Sequence, residues 1–178
     1  MLAERESIRR ENKGAKKMNI GKTIAVHEPG QEQTRYILEG VLDRAHQLLG
    51  DTLAAVVLFG SRARGSAHAD SDLDLLIVAQ SLPDGAQRRE LALDIAEVGF
   101  DYGLPVQVVL VSTEETKGAV NTGAPLMFEI HDAHRVIYDK DDFFRHLVND
   151  FTRLLEAWRV RRIKDRVWEV PGLATARL

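Results

Sequence analysis

Two aspartates, Asp72 and Asp74, open an apolar run that follows a Gly60-Ser61 pair at an interval of ten residues. Residues two apart on a strand point to the same face, so the two carboxylates stand side by side and repel unless a cation lies between them. Carboxylate oxygens are hard ligands suited to Mg2+, which is held by one or two of them together with substrate phosphates. Gly60 lets the backbone turn where a side chain would clash. Exposed amide groups there, with the Ser61 hydroxyl, can hold phosphate oxygens. Arg62 and Arg64 lie in the same loop and offer guanidinium donors that match phosphate geometry. This set suits a magnesium-bound nucleoside triphosphate, with the metal neutralising the phosphates and orienting the α-phosphate for in-line attack.

Strands must flank such a turn, and the text supplies them. Leu53 to Phe59 is a buried strand by length and composition, and Asp72 to Val78 is the next. Ahead of them Tyr36, Ile37, Val41, Leu42, Ala45, Leu48 and Leu49 recur at helical spacing, ended by Gly50 as a C-cap. After Pro83-Asp84-Gly85 a helix is expected to about Asp101, with Leu91, Ile95 and Val98 on one face; Val106 to Val111 is a third strand. Ser112-Thr113-Glu114-Glu115 reads as a capping box and Pro125 as the first turn of a short helix. Arg135 to Tyr138 is a further strand, and Asp141 to about Arg166 a long closing helix. Strands alternating with helices argue for an α/β (α+β) fold, a small mixed β-sheet with helices packed on it.

Composition narrows the function. With 178 residues and 44% apolar content the chain has room for one ordinary domain with a proper core. The absence of cysteine excludes disulfides, thiolate zinc sites and a cysteine nucleophile, and no apolar run approaches the ~20 residues of a membrane span. A cytoplasmic protein is the plain reading. A net charge of −3 gives no global attraction for nucleic acid. Met18, where the text changes character, is a candidate natural start.

The Gly60-Ser61 pair followed by Asp72-Leu73-Asp74 resembles the signature of the polymerase-beta-like nucleotidyltransferase superfamily. The fuller text, Gly60 to Gly65 with Ser71 to Leu75, is most similar to its minimal nucleotidyltransferase (MNT) branch. Pro125-Leu126-Met127 and Val136-Ile137-Tyr138-Asp139 resemble the end of such domains. The resemblance runs from about Gln31 to Tyr138 and implies a palm-like fold. It also implies phosphate binding by Gly60 and Ser61, with Arg62 beside them, and a catalytic Mg2+ pair at Asp72 and Asp74. Residues 1–30 are then a partly disordered tail, 31–140 the nucleotidyltransferase domain, and 141–178 a C-terminal helix and tail packed on it. The implied activity is transfer of a nucleoside monophosphate, AMP from ATP, to a hydroxyl acceptor. Small stand-alone members are similar to antitoxins that modify a partner toxin carrying a HEPN domain.

One position departs from that pattern. The family carries a third carboxylate on the next strand, and here Gln107 stands in its place. An amide accepts a hydrogen bond but is neither charged nor a base near neutral pH. Asp101 or Asp70 can replace the missing acid, the acceptor can react without a protein base, or the protein can act as an antitoxin-like binder by contact alone.

Other features carry less. His131 and His134 do not form a spaced zinc set on a clear helix face, His68 reads as a solvated loop residue, and no Ser-His-Asp pattern has context. Trp158 to Arg166 interleaves Arg159, Arg161, Arg162, Lys164 and Arg166 with Trp158, and Trp168 follows. Such a stretch can hold RNA or DNA. The preferred reading is an amphipathic helix whose tryptophan packs and whose arginines are solvated. Val170 to Leu178 is expected to be a loose tail.

Overall fold

Two seven-residue strands, β1 (Leu53–Phe59) and β2 (Leu73–Ala79), form the middle of the sheet and are almost wholly buried. That explains their apolar text, unbroken in β1 and interrupted in β2 only by Asp74: both faces are covered, so neither strand alternates regularly with polar residues. The computed structural model describes residues 31–171, apart from residues 69, 165 and 166. The expected tail over residues 1–30 and the candidate start at Met18 lie outside the described residues, as do residues 172–178.

The described residues form a mixed four-stranded sheet in the order β3-β2-β1-β4. β1 runs antiparallel to β2 and to β4 (Arg135–Asp139), whereas β3 (Val106–Ser112) runs parallel to β2. An irregularity between Leu53 and Ala55 resets the alternation of β1, so Leu53 shares a face with Val56 and Leu58. Helices α1 (Gln31–Leu49) and α3 (Ala86–Ala96) cover that face. Ile37, Val41, Ala45 and Ile95 are its fully buried anchors, packed with Leu73, Leu75 and Ile77. A 3-10 turn over Glu97–Tyr102 replaces the last turn expected of α3.

The opposite face of the sheet carries α4 (Thr113–Thr122), α5 (Pro125–Asp132) and α6 (Phe143–Ala157), packed on Val57, Leu76 and Val78. The capping box at Ser112 and Glu115 forms as its sequence dictates, with Glu115 N donating to Ser112 Oγ at 3.1 Å and Ser112 N to the Glu115 carboxylate at 2.7 Å. Pro125 takes the first turn of α5. Phe144 and Phe151 of α6 are completely buried, each contributing about 1.5–3 kcal/mol by area. Among the described residues no helix is long and apolar enough to cross a membrane.

Two expectations need correction at the C-terminal end. The closing helix stops at Ala157, and Arg159 turns into the left-handed region with φ 55. Its apolar stripe of Phe144, Leu147, Phe151 and Leu155 simply runs out there, leaving nothing for a further turn to bury. The basic stretch instead forms a hairpin of β5 (Arg161–Lys164) and β6 (Val167–Glu169). Trp168 rests on Phe128 at 5.5 Å between ring centroids, and Val170 packs against the core beside it rather than trailing loose.

The start of α6 is capped from a distance. Asp141 and Asp142 both have positive φ, and the Asp142 side chain caps nothing. The Asp139 carboxylate instead accepts from Phe144 N at 2.8 Å and Arg145 N at 3.1 Å. Asp139→Ala is therefore expected to cost about 1–2 kcal/mol, read as a lower urea midpoint at unchanged m. An unmoved midpoint would mean that water caps the helix equally well.

Candidate functional site

Strand register brings three residues into a row at one end of the sheet: Phe59 on β1 pairs with Asp74 on β2, and Asp74 pairs with Gln107 on β3. β1 feeds directly into a short helix, α2 (Gly60–Arg64), so the Gly-Ser pair is a helical turn rather than an open loop. Gly60 has φ 73, and a Cβ built on it would overlap the Asp74 carboxylate, lying 3.0 Å from Cγ. Only glycine lets that carboxylate lie against the turn.

Beyond α2 the chain is latched. Ser71 N donates to His68 O and His68 N donates to Ser71 Oγ, each at 3.0 Å. The Arg62 guanidinium donates to Ser71 O through Nε at 3.0 Å and Nη2 at 2.7 Å. Leu73 N then donates to Pro105 O at 2.9 Å, which starts β2. The latch leaves Asp72 exposed one residue ahead of the strand, rather than on it as the spacing predicts.

A cleft of about 370 Å3 opens over this row, lined by Gly60, Ser61, Arg64, Asp74, Gln107 and Glu129 among others. Its size suits a small organic ligand. Burial holds the Asp74 carboxyl above its ordinary value, repulsion from Asp72 and then Glu129 adds to this, and Arg64 partly offsets it. A divalent cation would relieve the repulsion. The carboxylates of Asp72 and Asp74 have the donor chemistry that Mg2+ would need, although only Asp74 lines the cleft. Among the described residues no group of three or more His, Cys, Asp or Glu is placed to hold a metal. Arg64 Nη1 is buried without a hydrogen-bond partner among the described residues. An unpaired buried donor costs about 1–3 kcal/mol, which an anionic ligand oxygen would recover.

The geometry sorts the residues singled out from sequence. Gly60, Ser61, Arg64, Asp74 and Gln107 converge on the cleft, whereas Arg62 spends its guanidinium on the Ser71 latch. Asp70 and Asp101 are exposed and outside the lining. Glu129 is the acid that sequence reasoning missed. Its only signal was a carboxylate inside the otherwise apolar stretch Pro125 to Ile130, with Leu126 three residues before it on the same face.

The remaining features serve the fold. His131 Nε2 lies 3.2 Å from Thr152 Oγ1, and His134 Nδ1 lies 2.8 Å from Ile130 O. Arg162 pairs with Asp132 at 2.7 Å and lies over the Trp168 ring, which fastens the hairpin to α5. A second cavity, near Ala54, Gln80, Lys117 and His146, holds none of the motif residues.

The family model described as polymerase beta, nucleotidyltransferase matches residues 49–143. A Methanocaldococcus jannaschii protein provisionally named a protein adenylyltransferase is 30% identical over 142 residues, 77% of this chain and 94% of the relative. Spectinomycin adenyltransferase AAD(9) from Enterococcus faecialis, solved with ATP and spectinomycin, matches with a TM-score of 0.50 at 14% identity, over 69% of this chain and 64% of that one. A chain from the complex of tri-AMPylated Shewanella oneidensis HEPN toxin with MNT antitoxin matches with a TM-score of 0.44 at 13% identity, over 69% of this chain and 87% of that one.

Proposed function

This chain belongs to the polymerase beta nucleotidyltransferase family, and we propose that it transfers AMP from ATP to a hydroxyl group of a partner protein. The observation that carries the reading is the contact between Gly60 and Asp74: a turn with φ 73 whose missing Cβ leaves room for the carboxylate. Beside it, the buried unpaired Nη1 of Arg64 waits for an anion. In this reading the amides of α2 and the Ser61 hydroxyl grip the β- and γ-phosphates. Arg64, rather than Arg62, neutralises phosphate charge. Asp72 and Asp74 hold Mg2+, which supplies charge neutralisation of the triphosphate and alignment of its α-phosphate. Catalysis then consists mainly of positioning and electrostatics.

A protein acceptor is favoured by the Methanocaldococcus relative, which matches over nearly its whole length and is named for that activity. The motif's similarity to minimal nucleotidyltransferases points to a HEPN-type toxin as that partner. A second reading, inhibition of such a partner by contact alone, is favoured by Gln107, which puts an uncharged amide beside Asp74 where a carboxylate would help the chemistry.

One assay separates them. The purified chain is incubated with Mg2+, α-labelled ATP and a HEPN-type partner. Label is expected on the partner, reduced at least a hundredfold by Asp72→Ala. A stable complex that carries no label, and that Asp72→Ala leaves intact, would establish the contact reading instead.

A further inference from the structure

Two cavities meet at Arg64 and Glu129. One is the cleft over Gly60 and Asp74; the other, of about 320 Å3, is bounded by Phe128 of α5 and by Trp168 and Val170 from the C-terminal end. The Phe128–Trp168 cavity depends on the hairpin, which is held in place by the Arg162–Asp132 pair at 2.7 Å and by the contact of Trp168 with Phe128. The hairpin lies outside residues 49–143, the part matched by the family model. Phe128, Pro125, Trp168 and Val170 give that cavity apolar walls, and the cleft beyond Glu129 brings Ser61, Asp74 and Gln107 to one side. A side chain with an apolar body and a terminal hydroxyl fits that order of surroundings.

Glu129 stands at the junction on an exposed face of α5, close enough to Asp74 for its charge to be felt there. Gln107 cannot accept a proton near neutral pH. Glu129 lines both cavities, so it faces a hydroxyl placed between them. We propose that the acceptor's hydroxyl enters through the Phe128–Trp168 pocket and that Glu129 orients it and takes its proton. This rests on the transfer reading above. The acceptor oxygen forms a bond to the α-phosphorus, and the bond from that phosphorus to the bridging β-phosphate oxygen breaks. Pyrophosphate leaves with the electron pair, and the proton passes to a Glu129 carboxylate oxygen and then to water.

The test is single-turnover transfer from labelled Mg-ATP to the partner protein of the assay above, alongside Mg-ATP binding read by thermal shift. Glu129→Gln is expected to slow transfer about 100- to 10,000-fold, the usual size of a general-base effect, while Mg-ATP binding is retained. Gln107→Asp added to Glu129→Gln is expected to recover at least tenfold. Trp168→Ala is expected to raise the half-saturating partner concentration about tenfold with transfer at saturation unchanged. Transfer by Glu129→Gln within threefold of the unsubstituted chain, or loss of ATP binding in that variant, overturns the role of Glu129. An unchanged half-saturation in Trp168→Ala overturns the pocket. If the unsubstituted chain binds Mg-ATP but transfers nothing, the transfer reading itself has failed, a result distinct from both.

Discussion

Asp74→Asn is expected to lower AMP transfer a thousandfold or more and, at the same time, to raise the melting temperature of the ligand-free protein. The two effects share a cause. The Asp74 carboxyl is held above its ordinary value by burial, by Asp72 and by Glu129, so its charged form is disfavoured in the folded chain. A carboxyl raised in this way binds protons more tightly folded than unfolded. The folded state is therefore least penalised below the unfolded value, and stability falls as pH rises through the folded one. Above the folded value the penalty is present in full, and asparagine removes it.

The gain is modest because the carboxyl is partly solvated: roughly 1–3 °C for a chain of this size. The gap between variant and unsubstituted protein is expected to close as the pH of the melting experiment is lowered from 8 to 4. Adding Mg-ATP reverses the order. At a hundred times its Kd a ligand stabilises the folded chain by about 2.7 kcal/mol, and the variant is expected to forgo most of that gain. A variant that melts below the unsubstituted protein at neutral pH and still answers to Mg-ATP would remove Asp74 from the metal site.

Gly60→Ala is expected to abolish the Mg-ATP melting shift and to cut transfer at least a hundredfold. Two penalties meet there. The backbone sits at φ 73, where an L side chain is strained by about 1–2 kcal/mol, and the added methyl enters the space of the Asp74 carboxylate. Gly65 provides the control. Its φ is 74, nearly the same, but a Cβ there meets nothing within 4 Å. Gly65→Ala should therefore lose similar stability in urea while keeping the Mg-ATP shift. Equal loss of the shift in both variants would show that backbone strain, rather than displacement of Asp74, governs the site.

The site's central strands were readable because their signals are local. Leu53 to Phe59 is a continuous apolar run of strand length and Leu73 to Ala79 is one broken only by Asp74, and burial on both faces is what such runs require. The Ser112 and Glu115 capping box and Pro125 at the start of α5 depend only on neighbouring residues. The basic stretch after Ala157 reads as helix in the sequence because charge spacing alone does not say where an apolar stripe ends its usefulness. What ended it was a tertiary fact: Trp168 packs on Phe128 once the chain turns back as a hairpin.

By itself, then, the sequence determined the Gly60-Ser61 turn, the Asp72-Leu73-Asp74 spacing, the strands on either side and the amide at position 107, all set by covalent spacing along one stretch or the next strand. Only the tertiary structure decided that Arg62 closes the Ser71 latch while Arg64 faces the cleft, two residues apart on one short helix and so on different sides. Only it brought Glu129 of α5 to the junction of cleft and pocket, more than fifty residues after Asp74. The physical reason is the same in each case. Local spacing sets which way a side chain points from its own element, but which distant element lies opposite is settled by how the helices bury their apolar faces on the sheet.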